Sequence, residues 1–221
     1  MRREGLRNWL VASVGLLACC LGCGVQMGAP VPPPPPKTVV FIGASITQYW
    51  ATYADFSANH WVDKGISGQT STQVAARFET DVIALHPDAV HILVGTNDLV
   101  PGWVPQNTWD AYTTMIYEAK AAGIEVCFGT IPPWGNGTGV SASDPDNAPR
   151  NARVATLNAW LKSQRGVTVI DYYALLVGSD GHYNPAMTVD GIHPTAAGYA
   201  LMTPAAEKAF ESGAASTSPE Q

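Results

Sequence analysis

The chain holds 221 residues, 46% of them hydrophobic and 14% charged, with a formal net charge of −6. Such an apolar share builds a real core in one medium domain or two small ones, which excludes disorder as the main state. Only 12 Lys and Arg residues are present, thinly spread after the first ten positions, so no electrostatic footprint for nucleic acid exists. Arg2, Arg3 and Arg7 precede an apolar run from Trp9 to Leu17 followed by small residues, the layout of a secretory signal too short to span a membrane comfortably. Residues 1–23 are therefore expected to form a signal peptide and lipobox region. Leu16-Leu17-Ala18-Cys19 resembles a lipobox, which makes Cys19 the favoured lipidation site and Cys23, after Leu21-Gly22, the second candidate. Residues 24–37 hold six of the 17 prolines, including Pro32 to Pro36, and read as a stiff polyproline II tether. The expected location is outside the cytoplasm, with membrane contact only through the lipid anchor. A folded domain is expected over 38–212 and a disordered tail over 213–221.

Within that domain Cys127 stands alone, so no internal disulfide and no cysteine-based metal site is expected. Its strand-like surroundings mark it as a buried thiol. Apolar runs suited to buried parallel strands occur at Val39–Ile42, Ala89–Val94, Ile124–Phe128 and Val167–Ile170, with a weaker one at His60–Asp63. Helical patterns lie between them at Ile46–Phe56, Thr72–Leu85, Thr108–Ala122 and Arg150–Gln164, and a last one covers Ala196–Phe210. Strands and helices that alternate five times predict a three-layer α/β domain with a parallel sheet. Ligands of such sheets bind beyond the carboxyl ends of the strands, so the loops there are where chemistry is sought.

The first of these loops, Gly43-Ala44-Ser45-Ile46-Thr47, places Ser45 at a strand-to-helix turn, where an ordinary helix cap would also place a serine. The second, from Lys64 to Thr70, carries Gly65 and Gly68 and can offer an unobstructed backbone N–H. The third, Gly95-Thr96-Asn97-Asp98, presents Asn97 as a donor toward a developing oxyanion, with Asp98 read as a brace of the loop. Before the final helix, Asp190 precedes His193 by three residues, a spacing that suits a carboxylate orienting an imidazole base. Each signal alone is weak. Together, along one sheet edge, they supply a nucleophile, oxyanion donors, a base and an orienter.

These residues resemble the SGNH/GDSL hydrolase family, whose four blocks match in order at Ser45, Gly68, Asn97 and Asp190 with His193, over a stretch from Phe41 to Tyr199. The resemblance implies a flavodoxin-like α/β/α sandwich with a five-stranded parallel sheet. It implies hydrolysis of carboxylic esters with no metal and no organic cofactor. It also implies Ser45 as nucleophile, His193 as general base and Asp190 as its orienter, with the N–H of Ser45, the N–H of Gly68 and the Asn97 amide as oxyanion donors. Ala44 departs from the family pattern, since an Asp usually stands before the serine.

The remaining histidines have structural readings: His91 in the core, His86 at a helix end, His60 at the start of a strand, and His182 as a candidate pocket border. Substrate choice is expected from the loops Leu99–Gln106 with Trp103, Ile131–Pro149 with Trp134, and Ser179–Val189, flanked by Tyr49 and Trp50. The leading expectation is a short-chain acetylesterase acting on a small-molecule or polysaccharide ester. A lysophospholipase or thioesterase is the alternative, and a carbohydrate- or anion-binding relative without turnover is the reading from a different class.

Overall fold

A computed structural model of the chain describes residues 35–135 and 147–211. The expected signal and lipobox region (1–23), the expected tether up to residue 34, positions 136–146 of the expected rim loop and the expected tail (213–221) lie outside the described residues. Five short strands form where the apolar runs lie: β1 (Val39–Gly43), β2 (Trp61–Gly65), β3 (Ala89–Leu93), β4 (Glu125–Gly129) and β5 (Thr168–Ile170). All pairings are parallel, in the order β2-β1-β3-β4-β5. Every residue of β1 and β3 is buried, as expected of central strands covered on both faces.

Register divides the core into two halves. Phe41 pairs with His91 and His91 with Cys127, so these three side chains share one face. That face is covered by α1 (Ser45–Trp50) and α7 (Ala196–Glu211), whose Trp50 and Phe210 rings lie 5.4 and 6.0 Å from Phe41. Ile42, Ile92 and Phe128 point the other way. There Tyr112 of α4 (Pro105–Ala121) meets Phe128 at 5.2 Å and stacks on Trp160 of α5 (Asn147–Ser163). The result is the expected three-layer α/β sandwich, in which each buried aromatic or aliphatic side chain contributes roughly 1.5–3 kcal/mol of transfer free energy. Cys127 is buried, and burial pushes its thiol up to about 12, which leaves it unreactive.

Two helices differ from the sequence expectation. The helix expected over 72–85 is divided into α2 (Ser71–Ala75), α3 (Phe78–Asp81) and a 3₁₀ turn at Ile83–Leu85. Between the first two, Arg77 leaves helical geometry, with φ −111° and ψ 6°. Its guanidinium reaches the Gly43 carbonyl at 3.0 Å and Gln69 Oε1 at 2.7 Å. The break also keeps Val74, Phe78 and Val82 fully buried, so tertiary contact overrides helix propensity. The helix expected over 46–56 ends at Trp50, because that side chain is buried with its indole N–H on Thr203 Oγ1 at 2.9 Å. The Thr52 hydroxyl then takes the Tyr49 carbonyl and the chain turns back toward β2. A short helix that the sequence did not announce, α6 (Tyr172–Leu176), follows β5 and is capped by Asp171, which accepts from the Ala174 N–H at 3.2 Å.

Candidate active site

The strand order reverses at β1, which has β2 on one side and β3 on the other, so the crevice of this sheet opens at the carboxyl ends of β1 and β3. Two glycines let α1 settle onto that edge. A Cβ at Gly43 would lie 2.1 Å from the Leu93 carbonyl oxygen, and one at Gly65 would lie 2.1 Å from the Gln48 amide nitrogen. At Gly65 the clash is with the backbone of α1, and at Gly43 it is with the β3 backbone and with Thr47 Oγ1 of α1, so a larger residue at either position displaces the helix or parts β1 from β3. Ser45 is thereby set at the first residue of α1 and is only 8% exposed.

Asp190 and His193 come from one turn before α7. Asp190 Oδ1 accepts the backbone N–H groups of Ile192 at 3.0 Å and His193 at 2.8 Å, which folds the segment around the carboxylate. Gly191 takes φ +88°, gives its N–H to Thr188 Oγ1 at 2.9 Å, and accepts at its carbonyl from Gly135 at 2.8 Å. The other carboxylate oxygen, Oδ2, lies 2.7 Å from His193 Nδ1, and His193 Nε2 lies 2.9 Å from Ser45 Oγ. Burial pushes the Asp190 carboxyl up, but its hydrogen bonds from His193 and Ile192 outweigh this and hold it below its ordinary value. A charged Asp190 requires the proton on Nδ1, so Nε2 is the acceptor for the Ser45 hydroxyl.

Gly68 sits at φ +80° with nothing within 4 Å of a built Cβ, so backbone conformation rather than crowding selects glycine there. The neighbouring Gln69 carbonyl accepts from Asn97 Nδ2 at 2.9 Å, which ties one amide hydrogen of Asn97 and leaves the second free of that bond. Gln69 is held in turn by Arg77, and the Ser67 N–H by Gln48 Oε1 at 2.8 Å. Asp98 accepts from the Ser71 N–H at 2.9 Å, from the Ser71 hydroxyl, and from Thr108 Oγ1 at 3.2 Å, so it braces the loops carrying Gly68 and Asn97. The structure thus joins Ser45, His193 and Asp190 in one hydrogen-bonded chain, and joins Gly68 to Asn97 through Gln69. Among the described residues no group of three or more His, Cys, Asp or Glu side chains is placed to hold a metal ion.

The rim differs from the sequence expectation. Trp50 is a core residue, Trp134 is 5% exposed beneath the Arg150 guanidinium, and the Trp103 indole N–H is occupied by Thr108 at 2.9 Å. His182 is tied to Asp180 and does not line the hollow beside the site. That hollow, of about 300 Å³, is lined by Tyr49, Thr52, Tyr53, Val189 and Pro194 alongside Asp190 and His193. Tyr53, Thr52 and Val189 as individual lining residues were missed; the spacing 45, 49, 53, one helical face, was the available signal.

The chain matches the model of the GDSL-like Lipase/Acylhydrolase family over residues 41–201. A crystal structure of a GDSL-like lipase from Bacteroides thetaiotaomicron superposes with a TM-score of 0.69 at 32% identity, covering 79% of this chain and 88% of that one. An acetylxylan esterase from Geobacillus stearothermophilus shares the fold, with a TM-score of 0.59 at 21% identity over 79% of this chain and 94% of that one. An acetylxylan esterase from the same organism is 55% identical over 38 residues, a segment spanning 17% of each protein. With its family match reaching from β1 into α7 and enclosing all four loops, this chain belongs to the GDSL-like lipase/acylhydrolase family.

Proposed function

We propose that the protein is a serine esterase that removes short acyl groups, foremost acetyl, from a carbohydrate or similar ester. The observation carrying this reading is the unbroken path from Ser45 Oγ through the His193 ring to Asp190. In the first half-reaction the Ser45 oxygen bonds to the ester carbonyl carbon and its proton passes to His193 Nε2, while the carbonyl π electrons move onto oxygen. The N–H groups of Ser45 and Gly68 and the Asn97 amide receive that oxyanion. Collapse breaks the carbon–alkoxide bond, and the proton on Nε2 goes to the departing alcohol. Water then attacks the acyl-serine, gives its proton to His193, and the carboxylic acid leaves as Ser45 regains its hydrogen.

Asp190 stays charged throughout, stabilising the imidazolium that forms twice per cycle. The 38-residue segment that is 55% identical to an acetylxylan esterase supports an acetyl ester as substrate. The N-terminal signal, lipobox and proline-rich stretch support an exported, lipid-anchored enzyme, and no helix among the described residues is long and apolar enough to cross a membrane. The test is hydrolysis of 4-nitrophenyl acetate and of acetylated xylo-oligosaccharide by wild type and Ser45→Ala. A loss of roughly 10⁴-fold or more is expected in the variant. Equal rates would instead identify a binding module that kept the fold.

A further inference from the structure

We propose that the hollow walled by Tyr49, Thr52, Tyr53, Val189 and Pro194 is the subsite for the leaving alcohol, and that it holds a neutral pyranose ring. This inference rests on the serine esterase reading above. The tetrahedral carbon formed on Ser45 carries an oxyanion, an acyl group and a departing oxygen. The oxyanion faces the loops after β2 and β3, where Gly68 and Asn97 lie. The departing oxygen must approach His193 Nε2 to receive its proton. The hollow borders His193 and Asp190 and includes neither Gly68 nor Asn97, so it lies away from those two oxyanion donors and beside the base that protonates the departing oxygen.

Its chemistry selects a polyhydroxylated ring. Tyr53 stacks on the buried Tyr199 at 4.8 Å and 14°, which locks its rotamer and leaves it half exposed toward the hollow. Tyr49, 42% exposed, stands edge-on to the His193 ring at 5.6 Å. Flat aromatic faces accept the C–H face of a sugar, while the tyrosine hydroxyls and Thr52 meet its hydroxyl edge. Among the described residues no Lys or Arg lines the hollow, and the one lining carboxylate, Asp190, is committed to His193 and its own turn. A phosphate-bearing alcohol would find no Lys or Arg among these lining residues. At about 300 Å³ the hollow sits at the lower end of small-molecule sites, roughly 300–1,000 Å³, which suits one ring better than a long chain.

The experiment compares kcat/KM for a mono-O-acetylated methyl xylopyranoside with that for ethyl acetate, as a ratio, in wild type, Tyr53→Ala, Tyr53→Phe and Val189→Trp. The ratio is expected to fall about tenfold in Tyr53→Ala and to return in Tyr53→Phe, which keeps the ring face. Val189→Trp alters a side chain that is 69% exposed, fills the hollow without touching the core, and is expected to lower the same ratio. An unchanged ratio in both Tyr53→Ala and Val189→Trp, with thermal melts like wild type, overturns the subsite. So does a change that follows acyl length at constant alcohol. Absence of Ser45-dependent hydrolysis of either ester overturns the esterase reading and the subsite with it.

Discussion

His91 is fully buried in β3, stacked on Phe41 at 4.4 Å and bonded through Nε2 to the Tyr172 hydroxyl at 3.0 Å, with Nδ1 buried and unpartnered. Burial lowers its pKa from 6.5 to about 3. A lowered imidazole means that the unfolded chain binds a proton the folded chain refuses. The stability this neutral histidine permits is therefore complete above pH 6.5 and is lost as pH falls from 6.5 toward about 3. At about 1.4 kcal/mol per pH unit, acidification from pH 7 to pH 4 removes about 3 kcal/mol through this one residue. The comparison protein is the double variant His91→Phe/Tyr172→Phe, since a lone His91→Phe would strand the buried Tyr172 hydroxyl. Denaturant unfolding of both proteins at pH 7, 5.5 and 4 isolates the term, because all other titrations, including the burial-raised Asp98, cancel in the difference. The stability gap is expected to move by about 3 kcal/mol in favour of the variant. Parallel pH profiles, agreeing within about 0.5 kcal/mol, would refute the reasoning.

Asn97→Ala is expected to lower kcat about 10²–10³-fold in a protein that still folds, the lost Asn97–Gln69 hydrogen bond costing only about 0.5–1.5 kcal/mol, measured by ester hydrolysis and calorimetry. Retained turnover removes Asn97 from the oxyanion site. Asp190→Asn is expected to lower kcat roughly 10⁴-fold at constant substrate affinity, because an amide no longer enforces the proton on His193 Nδ1. Gly43→Ala is expected to destabilise by more than about 1–3 kcal/mol, since its Cβ would fall 2.1 Å from the Leu93 carbonyl oxygen; a normal urea midpoint would show that β1 and β3 can part to admit the methyl group.

The sheet was legible because parallel strands covered on both faces carry unbroken apolar runs, and β1, β3 and β4 follow theirs to within a residue or two. The division between α2 and α3 was not, because it depends on Arg77 reaching the end of β1, a contact with no local signature. α6 escaped notice at five residues, too short for periodicity to speak. The Ser45, Asp190 and His193 placements were readable because each sits beside its own strand end or turn, where glycine punctuates the chain. Which aromatic residues line the rim was not readable. Trp50, Trp103 and Trp134 carry the same side chain whether buried or displayed, and only tertiary packing assigns display to Tyr49 and Tyr53.

The proposed orienter, Asp190, and the proposed base, His193, lie in one turn, three residues apart, while the proposed nucleophile, Ser45, stands 148 positions upstream of His193. A fragment that ends after residue 129 but before residue 168 already holds four of the five strands and the serine, yet lacks Asp190 and His193. Such a fragment has no means of deprotonating its hydroxyl. Under the proposed mechanism, reactivity is therefore conferred only once the chain through His193 is in place, and a molecule truncated ahead of that turn is expected to be chemically silent.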